Sequence, residues 1–234
     1  MLPIQKELQS LTNPEKAIIL QHFFKTGHGE YGEGDIFLGI QVPHVRTISK
    51  KYLNLSYQEI SILLNSKIHE ERLVALLILI EKFNKSRKDN KERRRIYEFY
   101  LSQRAGINNW DLVDLSADKI VGEFIFNEDK SILRDLARSK NLWERRIAIV
   151  STFAFIRRKR FGETLAISEI LINDTHDLIH KAVGWMLREV GKRDQEILEI
   201  FLKTHYNSMP RTMLRYSIEK FPQDKRKAYL KGEI

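Results

Sequence analysis

SKIHEERLVALLIL, Ser66 to Leu79, carries the clearest fold signal in the chain. A charged opening runs into an unbroken apolar stretch. The same plan returns in SKNLWERRIAIVST, Ser139 to Thr152, and in DTHDLIHKAVGWML, Asp174 to Leu187. Each segment sets a basic residue (Arg72, Arg146 or Lys181) ahead of a small and apolar run, at separations of 74 and 35 residues. The wider gap holds a fourth motif around Trp110, Asn108 to Ser116, which leaves a period of about 35 to 40 residues, the range of stacked helical repeats.

The rest of the chain agrees with a helical reading. Gly and Pro are sparse, and apolar positions recur at spacings of three and four, so the protein is expected to be all-α with HEAT-like repeats in one domain over residues 1–234. Asn13-Pro14-Glu15 supplies a cap and a first-turn proline for a helix through about Phe24. Residues 27–43, GHGEYGEGDIFLGIQVP, break the pattern with five glycines and are expected to form an ordered loop. Helices are then expected at 43–53, 56–65, 69–84, 90–104, 108–121, 128–138, 142–157, 161–173, 177–191, 194–204, 209–220 and 222–230. Stacking the repeats would align the starts of their second helices along one concave surface, which suits a rod such as duplex DNA.

Composition narrows the function. Forty Lys and Arg against 31 Asp and Glu give a net charge of +9, which favours polyanionic partners, although a basic soluble protein without such a partner fits the charge alone equally well. The chain has no cysteine, which excludes disulfides, thiolate zinc sites and a cysteine nucleophile. A reducing cytoplasmic setting is expected. The N-terminal segment lacks the pattern of a signal peptide, and the most hydrophobic run, LVALLILI, is stopped by Glu81 and Lys82, short of a membrane span.

Three segments hold all three tryptophans beside charge. In WDLVD, Trp110 and Asp114 are four apart and share a helical face, where a ring and a carboxylate could hold a cation. Read alone, the motif fits a packed Trp with Asp residues near a helix N-terminus more readily, and Asn109 fits a cap. NLWERRIAIV places Trp143, Arg145 and Arg146 just inside a helix, and Lys181, Trp185, Arg188 and Lys192 form one stripe of basic and aromatic groups. Cations on phosphates beside aromatics on bases or sugars are a common nucleic-acid design. A Trp filling the gap beside Gly184 is the competing reading. RRKR, Arg157 to Arg160, and the pair Arg211 and Arg215 are by default solvated charge, with phosphate contact as the alternative.

No metal or nucleotide cofactor is expected. His176 and His180 have zinc-like spacing, but no third ligand and no HExxH glutamate accompany them, so capping and surface roles are preferred. His22, His28, His44, His69 and His205 are scattered. GHGEYGEG is neither a P-loop nor a dinucleotide turn.

Taken together and in order, YGEGDIFLGIQVP, HEERLVALLIL, NNWDLVD, NLWERRIA, HKAVGWMLREVGKR and MPRTMLRYSIE resemble the AlkD-type DNA alkylation repair proteins, HEAT-like repeat DNA glycosylases. The resemblance covers nearly the whole chain. It implies a curved right-handed solenoid whose basic face holds duplex DNA, and hydrolysis of the N-glycosidic bond of cationic N3- or N7-alkylated purines with the lesion still stacked. It assigns Asp114 as catalytic acid residue, with Trp110, Trp185 and Arg146 completing the site. Gln41 matches a DNA-contacting position, Arg46 a phosphate contact, and Asp111 belongs to the motif. Arg145, Lys181, Arg188, Arg211 and Arg215 are further candidate DNA contacts. Alkylated double-stranded DNA is the expected partner, with a monomer acting in the nucleoid. The alternatives are a non-catalytic HEAT-repeat binder of branched or distorted DNA and a protein-interaction solenoid, whose concave face would be acidic or apolar.

Overall fold

Asn13 and Pro14 act as their chemistry dictates: the Asn13 side chain accepts from the Lys16 amide at 3.0 Å, and the proline occupies the first turn of a helix. The computed structural model describes all 234 residues, Met1 to Ile234, in two compact units, Met1–Ser116 and Ala117–Ile234. Both are built from helices, as expected. An isolated parallel bridge between Ile36 and Ile68 is the only β-type pairing.

In the first unit, α1 (Pro3–Ser10) and α2 (Pro14–Phe23) lead into the glycine-rich loop. The sequence reading missed α1, yet its signals are ordinary: Pro3 opens it, Gln5 reaches back to the Leu2 amide at 2.8 Å, and Ile4 and Leu8 bury one face. Next come α3 (Val42–Lys51), α4 (Tyr57–Leu64), α5 (His69–Lys85) and α6 (Asn90–Ser102). Ser56 and Glu59 form a capping box on α4, and Asp89 caps α6. The centre is α5. Every residue from His69 to Ile80 is buried, including four that are charged or titratable, and α3 and α4 pack on it. A helix buried all round is a core helix.

Residues 24–41 form the loop expected at 27–43, with Val42 and Pro43 taken instead into the first turn of α3. Ile36 is clasped between Lys67 and His69 through main-chain bonds of 3.0 and 2.8 Å. The Glu70 carboxylate accepts the amides of Leu38, Gly39 and Ile40 at 2.9, 2.9 and 3.2 Å. Gly39 has φ +81°, and a Cβ there would lie 2.2 Å from the Asn13 carbonyl, so only glycine fits.

One helix, α7, starts at Trp110 and continues to Ala117 rather than beginning at 108, because Asn109 is turned inward. In the second unit a π-helical stretch, Asp118–Gly122, precedes the short α8 (Glu123–Ile125), followed by α9 (Ser131–Ala137). Expected helix 142–157 is two: α10 (Leu142–Ser151) and α11 (Phe153–Ile156), divided where the Thr152 hydroxyl bonds the Ile149 carbonyl at 2.7 Å. Then follow α12 (Gly162–Ile170), α13 (Asp177–Gly191), α14 (Gln195–His205), α15 (Arg211–Ser217) and α16 (Gln223–Lys231). Here α13 is the centre, packed by α10, α14 and most extensively α15. Gly184 makes the α13–α15 approach possible, since a Cβ there would stand 2.6 Å from the Met213 carbonyl.

The repeat is real, but its register differs from the one read in sequence. Arg72 donates to the Ser66 carbonyl at 2.7 Å, Arg145 to Ser139 at 3.1 Å, and the His180 ring is bonded to the Asp174 carbonyl at 2.5 Å. In each case the residue four past the N-cap of the helix ties down the carbonyl two before that cap. The structural counterpart of Arg72 is therefore Arg145, one residue before Arg146. Adjacent arginines make the two alignments indistinguishable by residue type.

Candidate functional site

The first turn of α7 is held by buried charge. Asn109, fully buried, accepts the Trp110 amide through its side-chain oxygen at 2.8 Å and donates to Asp35 Oδ2 at 3.3 Å. The same Asp35 oxygen meets Arg72 Nη2 at 2.7 Å and His69 Nδ1 at 3.3 Å. The other nitrogen of His69 reaches Asp111 Oδ2 at 2.8 Å. Asp35 and Arg72 with His69 are almost fully buried, and Asp111 is the most accessible member. Buried charges of this kind persist only when paired and hydrogen-bonded.

The pKa shifts follow from the pairing. Burial opposes protonation of His69, but hydrogen bonds to Asp111 and Asp35 outweigh it and raise its pKa above the ordinary imidazole value. Burial likewise pushes the Asp35 carboxyl up, while His69, Arg72 and Asn109 hold it below its usual range. Asp35 is thus shared by Arg72, His69 and Asn109, and Asp111 is tied to His69.

An aromatic stack leads from this network to Trp110. The Phe37 ring lies 4.4 Å from His69 at 20°, Phe24 lies 4.9 Å from Phe37 at 23°, and Trp110 lies 5.1 Å from Phe24 at 13°. Phe23, exposed on α2, meets the Trp110 ring edge-on at 6.0 Å. Beside the stack is a cleft of about 260 Å³, lined by Leu20, Phe24, Phe37, Gln41, His69 and Asp111. Trp110 and Asp114, one turn apart on α7, are both half-buried. Gln41, exposed, precedes α3 and reaches the cleft, and Arg46 is exposed on α3.

In the second unit, Arg146 is buried near the start of α10 and donates to the Leu178 carbonyl. Trp185 is half-buried on α13, its ring 6.0 Å from Phe153. Arg145 is bound to Asp174 at 2.5 Å, and Arg188 to Glu219 and Glu189. Lys181, paired with Asp177 at 2.7 Å, and exposed Arg215 border a polar groove of about 530 Å³ that also takes in Arg226. Arg211 is exposed and donates to the Leu230 carbonyl at 2.5 Å. The RRKR arginines are not simply solvated: Arg157 pairs with Asp118 at 2.5 Å, Arg158 with Glu123 at 2.6 Å, and Arg160 covers the Phe126 ring. His176 caps α13 through its ring nitrogen at 3.1 Å.

Trp110, Asp111 and Asp114 are joined by a local motif in the sequence, whereas Phe23, Phe24, Phe37, Asp35 and His69 join them only in the fold. The aromatics were visible as a run in HFF and in the loop. Nothing local linked them to Trp110.

Comparison with known proteins decides the family. A family model described as DNA alkylation repair enzyme matches residues 4–221. The chain belongs to this family. Among solved structures this alkylation-repair family member is similar to one described as a predicted DNA alkylation repair enzyme from Enterococcus faecalis, with a TM-score of 0.72 at 20% identity, covering 91% of this chain and 97% of that one. That likeness is one of fold. No curated protein matches the chain.

Proposed function

We propose that this DNA alkylation repair protein is a glycosylase that hydrolyses the N-glycosidic bond of cationic N3- and N7-alkylated purines in duplex DNA. The observation that carries the reading is the Trp110–Asp114 pair, one turn apart and half-buried on α7 in a chain of this family.

The chemistry asks little of such a pair. A purine alkylated at N3 or N7 already bears positive charge, so the glycosidic electron pair leaves with it and neutralises it without an added proton. The sugar becomes cationic as that bond breaks. An ionised carboxylate at short range stabilises the developing oxocarbenium ion, as in glycoside hydrolysis, and would orient the water whose oxygen bonds C1′. The face of Trp110 adds attraction to the same charge. Trp185 and Arg146, in the second unit, carry proposed roles from the family motif alone, as its second tryptophan and its site arginine.

Binding to the duplex falls to the net charge and to accessible cations. Arg46, Lys181, Arg211 and Arg215, with Gln41 at the cleft, are the proposed contacts; phosphate contacts give affinity and register, not sequence preference. Arg145 and Arg188 are bound to carboxylates, and their proposed part is to shape the surface.

The test is release of free 7-methylguanine and 3-methyladenine from methylated duplex DNA by wild-type protein and by Asp114→Asn. The proposal requires release by wild type and its near loss in the variant with duplex binding retained. Wild-type protein that releases nothing above the spontaneous rate while still binding DNA would leave a non-catalytic binder of distorted or branched DNA.

A further inference from the structure

The motif residue without an assigned chemistry is Asp111, and its partner explains it. Asp111 Oδ2 receives His69 Nε2 at 2.8 Å, while His69 Nδ1 lies 3.3 Å from Asp35 Oδ2. A neutral imidazole has one N–H and would turn a lone pair toward one of the two carboxylates; only the imidazolium donates to both. Charge counting agrees, because Asp35 and Asp111 against Arg72 alone would leave uncompensated negative charge around side chains that are 4% exposed or less at Asp35, His69 and Arg72.

We propose that His69, as an imidazolium bridging Asp35 and Asp111, is the positioning residue that holds Trp110 and the first turn of α7 for the reaction. Two physical routes connect them. The first is covalent and polar: Asp111 follows Trp110, and Asp35 also takes the side chain of Asn109, which precedes it. The second is the ring stack from His69 through Phe37 and Phe24 to Trp110. A cation beneath Phe37 favours that stacking. The site's tryptophan is therefore fixed from both sides by one side chain that itself lies outside the Trp110–Asp114 face.

The ionisable groups around the imidazole are few. Asp35 faces it from the loop, Asp111 from α7, and Arg72 from its own helix with Nη2 at 3.5 Å from Nδ1. Glu70, next in sequence, is committed to the amides of residues 38–40, and Lys16 of α2 borders the same cleft. Burial and Arg72 oppose the charge, and the two carboxylates prevail, so deprotonation is moved above the ordinary imidazole range.

The test uses the full chain labelled with 5-fluorotryptophan, whose three 19F signals are assigned by Trp110→Phe, Trp143→Phe and Trp185→Phe. The Trp110 signal should follow one titration above the ordinary imidazole range, and that titration should vanish in His69→Gln. Its kinetic arm, which rests on the glycosylase reading, is single-turnover release of 7-methylguanine: the rate should fall roughly 10- to 100-fold in His69→Gln, the cost of a misplaced reacting group. Duplex affinity should stay at the wild-type value, separating positioning from DNA contact. Asp111→Asn keeps the His69–Asp35 contact, so it serves if His69→Gln fails to fold, and it should displace the Trp110 signal and slow release. A folded variant with an unmoved Trp110 signal overturns the proposal, as does a wild-type Trp110 signal that does not titrate. If wild-type protein excises nothing, the glycosylase reading fails by itself and the fluorine titration still decides the placement of Trp110.

Discussion

Glu70 spends its whole carboxylate on three loop amides while buried, so its removal tests how much of the loop one residue holds. Glu70→Gln keeps the shape but turns a donor toward a donor, and urea unfolding should show a loss of about 2 to 3 kcal/mol. His69 makes a different prediction. Because its folded-state pKa is raised, the stability it contributes is complete below the ordinary imidazole pKa and is lost as pH rises through the raised value. Wild type should therefore lose stability on the alkaline side relative to His69→Gln, a difference that denaturant midpoints measured across that range would reveal. None of this was legible in sequence, where His69 was one of several scattered histidines. Its partners lie 34 and 42 residues away, and no periodicity links a glycine-rich loop to a helix start.

Among the elements, legibility followed the locality of the signal. Apolar spacing, with the cap at Asn13, placed most helices, and in the structure Asn13, Ser56, Asp89, Asn141 and Asp194 each bond an amide within three residues. The break at Thr152 escaped because it depends on a hydroxyl choosing a carbonyl, which leaves the apolar pattern intact. The repeat register escaped for a related reason: the adjacent pair Arg145 and Arg146 fits either alignment, and only the bond from Arg145 to Ser139 separates them. Where α13 and α15 approach each other, at Gly184, a methyl group would meet the Met213 carbonyl at 2.6 Å and the Tyr216 Cβ at 2.5 Å. Gly184→Ala should therefore destabilise the second unit by roughly 1 to 3 kcal/mol through overpacking, even though alanine is the better helix former. A thermal melt at or above the wild-type midpoint would refute the close approach.

For the whole molecule, composition and charge pointed toward a polyanion, and the ordered set of motifs pointed to the family that the comparison establishes. The all-helical architecture was equally legible, because sparse Gly and Pro leave the 3.6-residue period uninterrupted. What charge alone could not say is which cations are available. Arg157 and Arg158 are exposed but tied to Asp118 and Glu123, whereas Arg46 and Arg215 are exposed without such an ion pair. Duplex affinity should accordingly fall with salt, and Arg46→Ala or Arg215→Ala should each lower the log–log slope by about one. Arg158→Ala should leave that slope unchanged. The proposed role of Asp114, stabilising the sugar cation of an alkylated nucleotide, is read out by base release from methylated duplex DNA. Wild type should release free 7-methylguanine and 3-methyladenine, and Asp114→Asn should lose roughly a hundredfold or more of that rate, as for removal of a strong electrostatic stabiliser, with duplex affinity preserved. Equal release by wild type and Asp114→Asn, or none from either, would contradict it.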